Sequence, residues 1–215
     1  MKRWLLALVA SIIPFSISAR ELHLPQPPAG LELYWVARYM EFNDLPMSIQ
    51  SFKTFESTSN LTPRLMTYLE KLGETVHVTT DQDGWMTLAT ADDEYFYSIR
   101  LFEHPTEIEG VFTVSARTPN ASSSPRLPLG FVRIEKQTFF DGPSIQEFTV
   151  LSSNSGQSEA LAIVERMMRQ DGWNTTRNYQ STRYFSRGNA LAHATARTGE
   201  NGVGTLILIS KELDK

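Results

Sequence analysis

The chain has 215 residues, of which 41% are hydrophobic and 20% charged, so it can bury a core and is too apolar for a disordered protein. It contains no cysteine, which excludes disulfides, thiolate metal sites and a cysteine nucleophile. Its formal net charge is −4 and it has no basic stretch, which argues against binding to nucleic acid or to anionic lipid surfaces.

The first nineteen residues have the pattern of a secretory signal peptide. A basic start at Lys2 and Arg3 precedes an apolar run of about twelve residues and then small residues, with cleavage expected after Ser18 or Ala19. The apolar run is shorter than the roughly 20 residues that span a bilayer, so no transmembrane helix is expected in the mature chain. Cleavage would leave 18 basic and 24 acidic residues, a net charge of −6. Together with the absence of cysteine, this pattern predicts the bacterial periplasm.

Two stretches of the chain repeat each other. Residues 48–52 read SIQSF and residues 144–148 read SIQEF, and each stretch follows an aromatic segment and a turn. Self-similarity at a fixed spacing is typical of a duplicated structural unit. The predicted organisation is an extended lead-in at 20–30, a first module at 31–115, a Pro/Ser linker at 116–128 and a second module at 129–215.

The first module starts with β-type residues at 31–42, a turn at 43–46 and a partner strand at 48–54, which together predict a hairpin. Thr62 and Pro63 are typical of a helix start, and Gly73 of a helix stop. Four further β-type runs follow at 76–78, 85–88, 95–101 and 110–114. The second module repeats this order, with strands at 131–140 and 145–151 and a helix at 157–170. The expected fold is therefore α+β, with two tandem similar modules, each a β-hairpin, one α-helix and three to four further antiparallel strands, the helix packed on the sheet.

Catalytic and metal-binding patterns are weak. His77 lies near Asp81 and Asp83, which makes a hydrolase with a carboxylate/His site the least favoured of the functions considered. The acidic run at 92–94 is typical of a solvated turn. No nucleophile elbow or phosphate-binding loop is present in the sequence, so we expect no catalytic residue, no metal and no cofactor.

Aromatic residues exceed what one face of each sheet obviously buries. Consecutive strand residues point to opposite faces, so some rings should face away from the helices and form a partner-binding patch. We predict Trp35, Tyr39, Trp85 and Tyr97 as partner-binding residues. The corresponding function is a non-catalytic periplasmic accessory or scaffold protein of the bacterial envelope that acts through protein-protein contacts.

A different class of function remains open. An apolar pocket between helix and sheet, lined by Leu65, Leu69, Met167 and Met168, would suit a periplasmic small-molecule or lipid-binding protein.

Overall fold

The computed structural model describes residues 22, 25, 26, 28–120, 127–199 and 204–215. The predicted signal peptide lies outside these residues and stays a prediction. The described part contains two α-helices and twelve β-strands. The first half of the chain contributes β1 (Tyr34–Phe42), β2 (Leu45–Thr54), α1 (Thr58–Leu69), β3 (His77–Thr80), β4 (Met86–Ala91), β5 (Tyr95–Glu103) and β6 (Ile108–Ala116). The second half contributes β7 (Phe131–Phe139), β8 (Ile145–Ser153), α2 (Gln157–Gln170), β9 (Asn174–Asn178), β10 (Thr182–Arg187), β11 (Ala190–Thr198) and β12 (Thr205–Leu213).

All twelve strands form one antiparallel sheet in the order β3-β4-β5-β6-β2-β1-β7-β8-β12-β11-β10-β9. With two helices packed on it, the sheet gives an α+β fold, as the sequence predicts. None of the described helices is long and apolar enough to cross a membrane.

Both helices cover the same face of the sheet. Glu41 is paired with Pro46 on one side and with Thr138 on the other, and directly paired residues share a face. Pro46 lies six positions before Phe52, which belongs to the first core. Thr138 is paired with Glu147, which lies four positions before Leu151 of the second core. Both spacings are even, so the two cores and their helices lie on one side. The opposite face carries no described helix.

Each half has its own hydrophobic core. In the first half, Leu61, Leu65 and Leu69 of α1 are fully buried against β2, β4, β5 and β6. In the second half, Leu161, Val164 and Met168 of α2 are fully buried against the small residues of β11 and the apolar residues of β12. Leucines at i, i+4 and i+8 of one helix, and the corresponding apolar spacing of the other, explain why each helix presents one stripe to the sheet.

The two halves meet edge to edge through β1 and β7, a contact called the seam below. The seam consists of three directly paired residues on each strand, Met40 to Phe42 with Phe139 to Gln137. Its hydrogen bonding is reciprocal. Asn43 accepts a hydrogen bond from the Lys136 backbone N–H (2.9 Å), and the Asp141 carboxylate accepts from the N–H groups of Arg38 and Tyr39.

The start of α1 differs from the prediction. The helix begins at Thr58, four residues before Thr62, so Pro63 lies inside it and not at its first position. A proline inside a helix has no backbone N–H to donate. At the sixth position of α1, Pro63 leaves the carbonyl of Ser59, in the first turn, without its usual hydrogen bond. The helix nevertheless forms because its buried leucines extend on both sides of Pro63.

The first hairpin turn is also shorter than predicted. Asn43 and Asp44 alone form the turn, with φ of 50° and 67°, and β2 already begins at Leu45. Positive φ at both central residues is the geometry of a type I′ turn, which matches the twist of the flanking strands. α1 ends at Leu69 with Glu70 as its C-cap, four residues before the predicted stop at Gly73. Gly73 is required for a different reason, because a Cβ there would lie closer than 3.0 Å to Thr90 and Ala91.

The predicted linker at 116–128 is only partly described. Arg117 donates a backbone hydrogen bond to the carbonyl of Glu94, and Asn120 donates one to the carbonyl of Asp44. Residues 121–126 lie outside the described part. The described beginning of the linker is therefore held against the first half.

Candidate functional site

The seam leaves one edge of each seam strand without a strand partner. Residues 34–37 of β1 and residues 131–134 of β7 extend beyond the seam. Because the two strands are antiparallel, the two stretches lie at opposite ends of the seam. Neither stretch has a second paired strand among the described residues. We call these two stretches the seam edges.

The seam edges expose apolar side chains. Tyr34, Trp35 and Val36 are 54%, 45% and 59% exposed, and Val132 and Ile134 are 62% and 52% exposed. An unpaired strand edge is normally protected by charge, proline or short length. The outer edges of the sheet follow that rule, since β3 reads HVTT and β9 reads NTTRN. The apolar seam edges do not follow it, and they are the strongest candidate interaction site.

The backbone presents the two seam edges in the same way. The register of β1 shifts between Trp35 and Ala37, and that of β7 shifts between Arg133 and Glu135. These shifts place Val36 and Ile134 at bulges, where an extra residue in the strand turns its side chain to a new direction. The bulges therefore explain why two β-branched residues in the middle of long strands are more than half exposed.

Two of the four aromatic residues predicted to bind a partner remain accessible. Trp35 belongs to a seam edge, where the Arg38 guanidinium lies 5.7 Å from its ring centre. Trp85 is half-buried before β4, between the Phe102 ring at 5.2 Å and the Arg100 guanidinium at 4.9 Å. The structure does not bring these two tryptophans together, because β1 and β4 are separated by three strands.

The other two predicted partner-binding residues, Tyr39 and Tyr97, are 8% and 6% exposed. Burial raises the pKa of Tyr97 far above its ordinary value, and the Asp92 carboxylate, which accepts a hydrogen bond from the Tyr97 hydroxyl at 2.9 Å, raises it further. Burial also raises the pKa of Tyr39, against a hydrogen bond from Asn120 that lowers it. In this conformation both rings offer little surface to a partner.

A cavity of about 410 Å³ lies between the C-terminal part of α2 and strands β7, β8 and β12, and we call it the α2 cavity. Its apolar wall consists of Leu127, Leu151, Met167 and Ile209. Of the four residues predicted for an apolar ligand, Met167 alone lines it. The other three, Leu65, Leu69 and Met168, are fully buried in the two cores.

The floor of the α2 cavity is charged. Arg133, Lys136, Glu147 and Lys211 line it, with Glu147 at 3.6 Å from Lys136 and 2.7 Å from Lys211. Asp44, which is outside the lining, lies 2.9 Å from Arg133 and 3.4 Å from Lys136. These five side chains are between 8% and 25% exposed, which makes theirs the most buried ion pairs in the described part of the chain apart from that of Glu165 on α2 with Arg183 on β10. The sequence does not reveal this cluster because its members come from four stretches of the chain, which the pairing of β7, β8 and β12 and, for Asp44, the seam bring together.

His77 and the carboxylates of Asp81 and Asp83 lie at opposite ends of β3, while His77 lines a cavity with Glu74, Asp92 and Asp93. His77 is exposed on edge strand β3, and the Asp81 carboxylate is occupied by the N–H groups of Asp83 and Trp85 and by Arg100. Among the described residues, no group of three His, Asp or Glu is placed to hold a metal ion.

Comparison of the chain with protein-family models, curated proteins and solved structures gives no significant match. The functional argument therefore depends on the geometry of the seam edges and the α2 cavity.

Proposed function

We propose that the protein is a non-catalytic periplasmic accessory or scaffold protein of the bacterial envelope that binds another protein at its two seam edges. The observation that supports this function is the exposure of five apolar side chains on strand segments that lack a second strand partner in the described structure. Exposed apolar edges of this kind are typical of surfaces that contact another chain.

The proposal includes a duplicated origin of the two halves. The order strand-strand-helix followed by four strands occurs in both halves, and the sheet order reads the same from either end when the halves are matched. Matched halves would present two related edges at a fixed distance. With a rise of about 3.3 Å per residue along the strands, the two bulge positions lie about 30 Å apart. A partner that engages both edges gains from the effective concentration that the first contact provides.

The partner is expected to present an extended apolar segment at each edge. Trp35 and Tyr34 supply large rings with a polar tip, which are the residue types that dominate interface energies. The Arg38 guanidinium lies over the Trp35 ring, so an acidic residue of the partner beside Trp35 would add a favourable contact. The Glu32 carboxylate is hydrogen-bonded to the Tyr34 hydroxyl at the same edge.

Site-specific photo-crosslinking in the bacterial host tests the proposal. A photoreactive phenylalanine at Val36 or Ile134 should form an adduct of defined mass in the envelope fraction. Matched controls at Thr79 on β3 and Thr176 on β9, which are exposed on the polar outer edges, should form none. Adducts at all four positions, or none at Val36 and Ile134, would contradict binding at the seam edges.

The second candidate function is a periplasmic small-molecule or lipid-binding protein. The α2 cavity favours it, since a volume of about 410 Å³ with an apolar wall and a few polar groups is within the usual range for ligand sites. Native mass spectrometry of protein purified from its host would show a co-purifying ligand in this case.

A further inference from the structure

The α2 cavity holds more cationic groups than carboxylates. Its lining includes three cations, Arg133, Lys136 and Lys211, and two carboxylates, Glu147 and Asp171, so the lining carries one net positive charge. Asp44, which pairs with Arg133 and Lys136, is not part of the lining. Charges at this depth are screened by solvent less than surface charges are. A net positive floor therefore favours an anion in the cavity.

The cations also retain donors for a ligand. A lysine ammonium has three N–H donors and a guanidinium has five. Arg133 donates to Asp44 through one nitrogen, and Lys211 donates to Glu147. Lys136 lies 3.4 Å and 3.6 Å from its two carboxylates, which are long contacts for charge-assisted hydrogen bonds.

The apolar part of the cavity lining lies next to the charged groups, with Leu151 four residues from Glu147 on β8 and Ile209 two residues from Lys211 on β12. Met167 projects from α2, and Leu151 and Ile209 from the sheet beside it. A site with cations beside unbranched or branched aliphatic groups matches a molecule with an anionic head and an apolar chain.

In the first half, the position four residues before a buried residue of the second strand carries no such charge pair. Four residues before the buried Leu151 of β8 is Glu147, which is paired with Lys211 of β12. Four residues before the buried Phe52 of β2 is Ser48, which is paired with Val114 of β6. β2 and β6 of the first half therefore hold no ion pair at this distance from the buried Phe52.

We infer that the α2 cavity binds a single-chain anionic amphiphile, with its carboxylate or phosphate on Lys136, Lys211 and Arg133 and its alkyl chain against Met167, Leu151 and Ile209. This inference rests on the second candidate function and is independent of the seam edges. The exposed carboxylate of Asp171 at the cavity rim opposes an anion, weakly because solvent screens it.

Methyl NMR of the full mature chain with ¹³C-labelled methionine provides the readout. Met167 lines the cavity, and Met66 in the first half is a reporter that should not respond. Decanoate and decyl phosphate should shift the Met167 signal saturably and leave Met66 in place. Decyltrimethylammonium, with the same chain and the opposite charge, and acetate, with the head alone, should not. The tighter of the two anionic probes identifies the head group.

Variants that remove a single charge test whether the ligand head is anionic. Lys211→Gln should weaken decanoate binding about tenfold, as expected for the loss of one charge-assisted contact. Asp171→Asn should tighten it. The matched control is Lys53→Gln, which removes an ion pair of the same 2.7 Å length to Glu107 outside the cavity and should leave binding unchanged.

The inference would be overturned if neither anionic probe shifted the Met167 signal, or if the cationic probe shifted it equally. It would also be overturned if Lys211→Gln and Lys53→Gln proteins, both with unchanged melting temperature, bound decanoate with equal affinity. Binding of the cationic and anionic chains alike would refute the anionic head and keep the ligand-binding function. No binding of any chain would refute both. Neither result would affect the crosslinks at the seam edges.

Discussion

Asp92 organises the turn between β4 and β5. Its carboxylate accepts hydrogen bonds from the N–H groups of Glu94 and Tyr95 and from the Tyr97 hydroxyl. Partial burial acts to raise the pKa of Asp92, but these hydrogen bonds and Arg117 outweigh it, so the pKa lies below the ordinary value of 3.8. The carboxylate is thus a structural group of the turn, and the acidic run at 92–94 is not a uniform solvated patch.

Asp92→Ala should therefore lower the free energy of unfolding by about 1–2 kcal/mol, the range for losing a charge-assisted cap. Asp93→Ala, at the exposed neighbouring position, should change it by less than about 0.5 kcal/mol. Urea denaturation of the two variants measures the difference. Equal effects at both positions would show that Asp92 has no special role in the turn.

The pH dependence of stability follows from the same carboxylate. Because the folded-state pKa of Asp92 is below its unfolded value, ionised Asp92 stabilises the protein above pH 3.8, and this contribution is lost as the pH falls through the folded-state pKa. Asp92→Asn should reduce the loss of stability between about pH 5 and pH 2. An unchanged pH profile in Asp92→Asn would contradict the assignment.

The aromatic residues separate into two groups by burial. Tyr97→Ala should lower the free energy of unfolding by about 3 kcal/mol or more, because it empties a buried site and removes a partner of Asp92. Trp35→Ala should change it by about 0.5 kcal/mol or less, since the ring is nearly half exposed. Thermal melts of both variants measure this, and a large loss in Trp35→Ala would mean that Trp35 stabilises the fold and is not free for a partner.

Among the elements, β2 and β6 depend on a close approach. A Cβ at Gly110 would lie closer than 3.0 Å to the Phe52 ring, which is itself 2% exposed. Gly110→Ala should therefore cost about 1–3 kcal/mol through overpacking. Gly142→Ala is the matched control, since its nearest atom would be 3.5 Å away. Chemical denaturation compares them, and a neutral Gly110→Ala would show that the ring can move aside.

The elements were largely predictable where periodicity is strong. Residues 157–170 show regular apolar spacing and form α2 within those bounds. The pattern of Thr62 and Pro63 predicts a helix start five residues after the observed one at Thr58, because it has the local signature of a start and the burial of Leu61 is a tertiary effect. Leu45 and Pro46 were assigned to a turn, although Asn43 and Asp44 suffice to make it.

The sites were less predictable than the elements. The alternation of aromatic residues indicates that some face outward, but it cannot separate exposed Trp35 from buried Tyr39, because the bulges in β1 change the direction of its side chains. The ion pair between Asp44 and Arg133 beside the α2 cavity forms across the seam. A contact between residues so far apart in the chain leaves no local pattern.

For the whole molecule, the register of the seam can be tested directly because the chain has no cysteine. Glu41 and Thr138 are directly paired and share a face, so Glu41→Cys with Thr138→Cys should oxidise to an internal disulfide. Glu41→Cys with Gln137→Cys places the thiols on opposite faces and should not. Intact mass under non-reducing conditions measures the loss of two hydrogens. Equal oxidation of both pairs would contradict the register.

The length of the seam has a mechanical consequence. With three directly paired residues, it is the shortest ladder between neighbouring strands in the described sheet, while every other pair of neighbours has four or more. Each side of it keeps a separate hydrophobic interior. A force that pulls β3 and β9 apart should therefore separate β1 from β7 first. The two halves should come apart while both hydrophobic cores are still folded.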